Sequence, residues 1–145
     1  MPYVRILVHI VWTTKNKERV LEKEFRKELF DHIRANAKSK GIFLDTIGGH
    51  WDHVHSLVYL QADQPISKIA QLLKGESSHW ANQEKKTLRK FEWQDEYWAA
   101  SVNECDAEAV RRYIRNQEEH HNTKKSEPEE WEKHIGGSSF ERRGG

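Results

Sequence analysis

Two short stretches of this chain combine residue types that can do chemistry. The first is His53-Val54-His55, at the head of the run His53-Val-His-Ser-Leu-Val-Tyr-Leu60. In a strand, alternate residues project from one face. Two imidazoles at i and i+2 then stand side by side, roughly 6.6 Å apart along the strand, and can converge on one metal ion. Val54 points the other way. In a chain with nine histidines, a chance pair is the equal alternative. The second stretch is Tyr113-Ile-Arg-Asn-Gln117. On a helix, residues i and i+4 share a face, so Tyr113 and Gln117 are neighbours. Alone, a tyrosine there is a packing residue with a wet tip, and a glutamine is a solvated helix residue.

The elements that must position these residues follow from periodicity. A nearly continuous apolar run predicts a strand over 3–12, central in its sheet. A helix over 22–39 carries Phe25, Leu29, Phe30, Ile33 and Ala37 on one stripe and ends at Lys40-Gly41. Strands are expected over 42–47 and 53–60, with Gly48-Gly49 as a turn signal. Pro65 opens a second helix with Ile66, Ile69, Leu72 and Leu73 inward, which Gly75 would bend before Trp80. A fourth strand is placed over 97–102. A last long helix over 106–121, capped by Asn103 or Asp106, carries Tyr113. A short helix over 127–134 follows. The order β-α-β-β-α-β, then α, predicts an α+β, ferredoxin-like antiparallel sheet with an appended C-terminal helix. The boundaries expected are one domain over 1–125 and a tail over 126–145, acidic and then glycine-rich.

Bulk charge does not single out a nucleic-acid binder. The net charge is +1, from 24 basic and 23 acidic side chains. Its distribution is uneven, with 21 basic and 18 acidic residues in 1–125 and 3 and 5 in 126–145. DNA could therefore be held only through local patches. The apolar run over 3–12 is interrupted by Arg5 and His9 and is far shorter than the roughly 20 residues of a spanning helix. With a single cysteine, Cys105, no intramolecular disulfide can form. These features place the protein in the cytoplasm, with no membrane partner.

Taken together, His53-Val-His-Ser-Leu-Val58 and Arg112-Tyr-Ile-Arg-Asn-Gln-Glu-Glu-His-His121 resemble the single-tyrosine transposases of insertion sequences, in the HUH superfamily. His9-Ile-Val-Trp-Thr-Thr-Lys15, Leu72-Leu-Lys-Gly75, Ser77-Ser-His-Trp80, Trp93-Gln94, Tyr97 and Ser101-Val102 are similar to other parts of that family, in the same order. Two places depart from it. His50-Trp51-Asp52 stands where the family often has Pro-Asp, and Glu96-Tyr-Trp-Ala-Ala100 replaces a glycine-rich run.

The resemblance implies that His53, His55 and Gln117 bind a divalent metal, Mg²⁺ or Mn²⁺. Such a donor set leaves positions open for a phosphate oxygen and water. It implies that Tyr113 attacks single-stranded DNA, leaving a 5′-phosphotyrosine and a free 3′-OH. It also implies hairpin-ended DNA as substrate, and a homodimer in which the tyrosine helix completes the partner's site in trans. Lys15, Lys74, Arg111, Arg112 and Arg115 are the candidate phosphate contacts. Trp80, with Trp93 and Trp98, is a candidate for stacking on bases. His9, His50, His79, His120 and His121 are read as structural or solvated. The rival reading is a domesticated protein that binds hairpins without transposition.

Overall fold

The computed structural model describes residues 3–117 and 129–135. Its strands are β1 (Ile6–Thr13), β2 (Phe43–Gly49), β3 (His53–Leu60) and β4 (Trp98–Val102). Its helices are α1 (Lys23–Ser39), α2 (Ile66–Gln83) and α3 (Ala107–Arg115). The strands form one antiparallel sheet in the order β2-β3-β1-β4. That is the ferredoxin-like arrangement with a helix added. β1 is central, as its apolar run requires.

Alternation along the strands gives the sheet two different faces. Val8, Ile10 and Trp12 of β1, with Val54 and Val58 of β3, pack against Leu29, Ile33, Ile69 and Leu73 of α1 and α2. Complete burial of each such side chain contributes about 1.5–3 kcal/mol. The opposite face has a smaller apolar cluster of Leu7, Leu57, Ala107 and Ile114, edged by Tyr59, Val102, Val110 and Tyr113. α3 lies on this second face, and so do His53 and His55.

Several local expectations are corrected. Gly48-Gly49 is the end of β2 rather than the turn, and the turn falls at residues 50–52. A Cβ on Gly48 would stand 2.2 Å from the Ile114 carbonyl oxygen, so the glycine is where α3 comes down on the sheet. Gly75 does not break α2, which runs through it without interruption even though the Ser77 and Ser78 hydroxyls donate back to the Leu73, Lys74 and Gly75 carbonyls. Neither Asn103 nor Asp106 makes a side-chain cap, since a 3₁₀ turn over Glu104–Asp106 feeds the chain into α3 instead. The last helix closes at Arg115, with Gln117 in one further helical position. Residues 118–121 of the expected helix lie outside the described residues. The part of the tail that is described is packed on the domain. Glu130–Lys133 form a 3₁₀ turn, and Trp131 and Ile135 are 3% and 1% exposed.

Candidate active site

β3 presents His53 and His55 on one face, with ring centroids 5.1 Å apart. Both are buried, and so is Gln117. α3 brings Gln117 to them. The His53 Nε2 atom lies 3.0 Å from Gln117 Oε1, and His53 Nδ1 lies 2.8 Å from Asp52 Oδ1. An imidazole that donates from Nδ1 to a carboxylate presents a lone pair at Nε2. That lone pair faces an amide oxygen that also carries only lone pairs. Two acceptors at this separation need a proton or a cation between them. Neighbouring ligand atoms on an octahedral ion with bonds of about 2.1 Å are themselves about 3 Å apart, so the pair fits a shared cation.

His55 is oriented from behind. Its Nδ1 lies 2.9 Å from Nε2 of His9, one strand over on β1, and the rings stack at 5.1 Å. Burial pushes the His9 pKa down to about 4, against a weaker upward pull from Glu129. A neutral His9 can accept from His55 Nδ1, which leaves a lone pair at the buried His55 Nε2, 4.0 Å from Glu129 Oε1. Among the described residues, no three His, Cys, Asp or Glu side chains are grouped closely enough to hold an ion by themselves. Gln117 Oε1, beside His53 Nε2, is a further potential donor.

Tyr113 stands one turn before Gln117, which donates from Nε2 to the Tyr113 carbonyl at 3.2 Å. The tyrosine ring meets His55 edge-on at 5.3 Å. Burial raises its hydroxyl pKa well above the ordinary value. A hydrogen bond to the Glu129 carboxylate raises it further, and contacts with Gln117 and Trp131 act the other way. The helix is seated by three devices: the glycine at 48, the apolar packing of Ala107 and Ile114, and an ion pair. Arg111 Nε donates to Asp45 Oδ2 at 2.8 Å, and its Nη2 reaches Tyr59 Oη at 3.3 Å. Burial pushes the Asp45 pKa up, but the Arg111 bonds prevail and hold it below the usual carboxylate range.

The remaining sequence candidates divide. Lys15 is exposed just beyond the end of β1, whose Thr13 pairs with His53, and its ammonium is 3.5 Å from Glu92. Arg112 and Arg115 are exposed on α3, and Arg115 lies 3.8 Å from Glu108. Arg111 is occupied in docking the helix. Lys74 is occupied too, donating to the carbonyls of Gln94, Asp95 and Glu96 at 2.7, 3.0 and 3.3 Å. Trp80 lies away from the site, stacked on His32 at 4.5 Å where α1 meets α2. Trp93 is buried and donates to Ser77 Oγ. Trp98 does face the site, meeting His9 edge-on at 5.3 Å.

Sequence reasoning missed Asp52, Glu129 and Trp131 and undervalued His9. Asp52 carried a signal, a carboxylate next to the histidine pair. Trp131 carried a weaker one, an aromatic residue in a charged tail.

Comparison with known proteins gives the family and the fold. The sequence matches the profile of the IS200-like transposases over residues 3–117. The chain belongs to that family. It is similar to the ISDra2 transposase TnpA of Deinococcus radiodurans, at 27% identity over 114 residues, covering 75% of this chain and 81% of that one. A crystal structure of a protein assigned as a transposase from Deinococcus radiodurans R1 superposes with a TM-score of 0.63 at 28% identity, covering 81% of this chain and 95% of the other. A REP-associated tyrosine transposase bound to a REP hairpin shares the fold, with a TM-score of 0.57 at 16% identity over 79% of this chain and 67% of the other. An IS200-like transposase therefore has His53, His55, Gln117 and Tyr113 gathered on one face of its sheet. No helix among its described residues is long and apolar enough to cross a membrane.

Proposed function

We propose that this transposase cleaves and rejoins single-stranded DNA at the ends of an insertion sequence, with Tyr113 as nucleophile and with Mg²⁺ or Mn²⁺ held by His53, His55 and Gln117. The observation that carries the reading is the 3.0 Å approach of His53 Nε2 to Gln117 Oε1, with Tyr113 one turn back on the same helix. A bound divalent ion would polarise the scissile phosphate and stabilise charge on its oxygens. Asp52 fixes the tautomer and orientation of His53, and His9 does the same for His55.

The Tyr113 oxygen forms a bond to phosphorus as the bond to the 3′ oxygen breaks. The tyrosine's proton is released and the 3′ oxygen takes one up, leaving a free 3′-OH and a 5′-phosphotyrosine. One phosphodiester replaces another, so the reverse step rejoins DNA without ATP. A buried phenol with a raised pKa is a poor nucleophile. The hydroxyl must therefore exchange its present surroundings for those of the bound phosphate. The hairpin named for the REP-associated relative supports hairpin-ended DNA as the substrate here. Lys15, Arg112 and Arg115 are the exposed cations available to its phosphates.

The proposal includes a cytoplasmic homodimer. In a single chain α3 sits on its own sheet. In the dimer, exchange of α3 about the turn over Glu104–Asp106 would give each site the partner's tyrosine helix at the same seat. The reading is tested by a covalent adduct between the protein and a labelled single strand on a denaturing gel. The band should require Tyr113, His53 and divalent metal, and be absent with duplex DNA. Cleavage that survives Tyr113→Phe would contradict it.

A further inference from the structure

The described part of the C-terminal segment, 129–135, lies across the residues assigned to chemistry. Trp131 is 3% exposed, with its ring 4.7 Å from that of His53 and 5.6 Å from that of His55. Glu129 accepts from the Tyr113 hydroxyl, and its Oε1 lies 4.0 Å from His55 Nε2. Its side chain is 11% exposed. The segment is built to hold this pose. Glu129 and Glu132 form a reciprocal capping box, Trp131 Nε1 donates to Glu129 Oε1, and Ile135 is buried. With the segment in place, His53, His55 and Gln117 are 2%, 0% and 1% exposed. The opening beside His53 is a cavity of about 220 Å³, lined by Lys17, Arg19, Trp51, Asp52 and Trp131. Even small-ligand pockets start near 300 Å³. In this state a DNA phosphate has no open path to the buried His53, His55 and Gln117 side chains.

We propose that residues 129–135 are a pseudosubstrate strap, in which the Glu129 carboxylate occupies the place of the scissile phosphate and the Trp131 indole that of an adjacent base. The match is chemical as well as positional. An anion beside the nucleophilic hydroxyl and a metal-ligating histidine is what a phosphodiester would be, and a flat ring two residues on packs tilted against His53 and edge-on to His55, filling the space a base would take. Withdrawal of the strap opens the cavity toward Lys17 and Arg19, cations placed to draw a phosphate backbone inward. This inference rests on the single-strand transposase reading and adds what holds that site shut. DNA must displace the strap, so the strap lowers DNA affinity by its own free energy of docking.

The test uses the full chain with Glu129→Gln, which keeps shape and removes charge, and Trp131→Ala, each with its melting temperature measured. Adduct formation with single-stranded DNA in Mn²⁺ should be at least tenfold faster than in the unaltered chain. In chelator, where Tyr113 is retained and no turnover occurs, both changes should tighten binding of the same oligonucleotide at least tenfold. Amide exchange of the 129–135 peptide should speed up when oligonucleotide binds the unaltered chain. Unchanged or weaker binding and slower adduct formation in folded variants would overturn the strap. So would protection of 129–135 on DNA binding. The transposase reading fails separately, if cleavage persists in Tyr113→Phe or no form gives an adduct, because the binding and exchange arms do not depend on the nucleophile.

Discussion

Gly48→Ala should unseat the tyrosine helix without touching any chemical group. A Cβ at this position would lie 2.2 Å from the Ile114 carbonyl oxygen, 3.0 Å from its carbonyl carbon and 3.1 Å from its Cγ2. The first two are backbone atoms and cannot rotate aside. To restore an ordinary contact of about 3.4 Å, α3 must retreat by about 1 Å. The seat is otherwise closely filled, since Ile114 is fully buried and Arg111 ties the helix to Asp45. Overpacking of this kind costs about 1–3 kcal/mol. For a chain of this size that lowers Tm by roughly 3–9 °C.

The effect on chemistry should exceed the effect on stability. Gln117 meets His53 at 3.0 Å, and the retreat would take it out of reach. A displacement of about 1 Å at reacting groups costs on the order of 100-fold in rate. The assays are Mn²⁺ titration by calorimetry, adduct formation and thermal melting on the same preparations. Gly75→Ala is the control, because its Cβ meets nothing within 4 Å and α2 is helical there. It should stabilise by about 0.5–1 kcal/mol with activity unchanged. If Gly48→Ala binds Mn²⁺ and forms adduct within twofold of the parent, α3 does not dock through this contact and the reasoning fails.

Three further predictions follow from the same geometry. Asp52→Asn leaves His53 in place but loosens its tautomer, so Mn²⁺ affinity should fall about 10- to 100-fold, and unchanged affinity in a titration would refute the role. Lys74→Met should destabilise the fold by about 1–3 kcal/mol while the salt dependence of DNA binding keeps its slope; a slope reduced by about one would make Lys74 a phosphate contact after all. His9 is held neutral, its pKa about 4 against an ordinary 6.5. The unfolded chain therefore binds the extra proton first, and metal-free stability should fall as pH drops from about 6.5 toward 4, by roughly 3 kcal/mol in total. His9→Gln should flatten that part of a denaturation-versus-pH curve.

The sheet was legible because its strands obey the alternation rule with few exceptions. Val54 inward and His53 and His55 outward follow from parity alone, and the stripe from Phe25 to Ala37 fixes α1 equally well. The glycine at 48 was misread because a turn and a close backbone approach both favour glycine, and only the partner surface distinguishes them. Lys74 and Arg111 were misassigned for a related reason. A cation's partner is set by tertiary packing, and neither the carbonyls of residues 94–96 nor Asp45 is near in sequence. His55 depends on His9 across two strands, a pairing that sheet register supplies and spacing does not. Glu129 and Trp131 were hidden by the composition of their surroundings, in which most residues are charged.

The central claim is that Tyr113 becomes covalently joined to DNA. The direct measurement is mass spectrometry of the protein after reaction with a single-stranded oligonucleotide of the element's end in Mn²⁺, followed by nuclease and protease digestion. The account predicts a phosphonucleotide on the peptide that contains Tyr113, absent in Tyr113→Phe and in chelator. Cleaved DNA with an unmodified Tyr113 peptide, or the adduct on another residue, would contradict it.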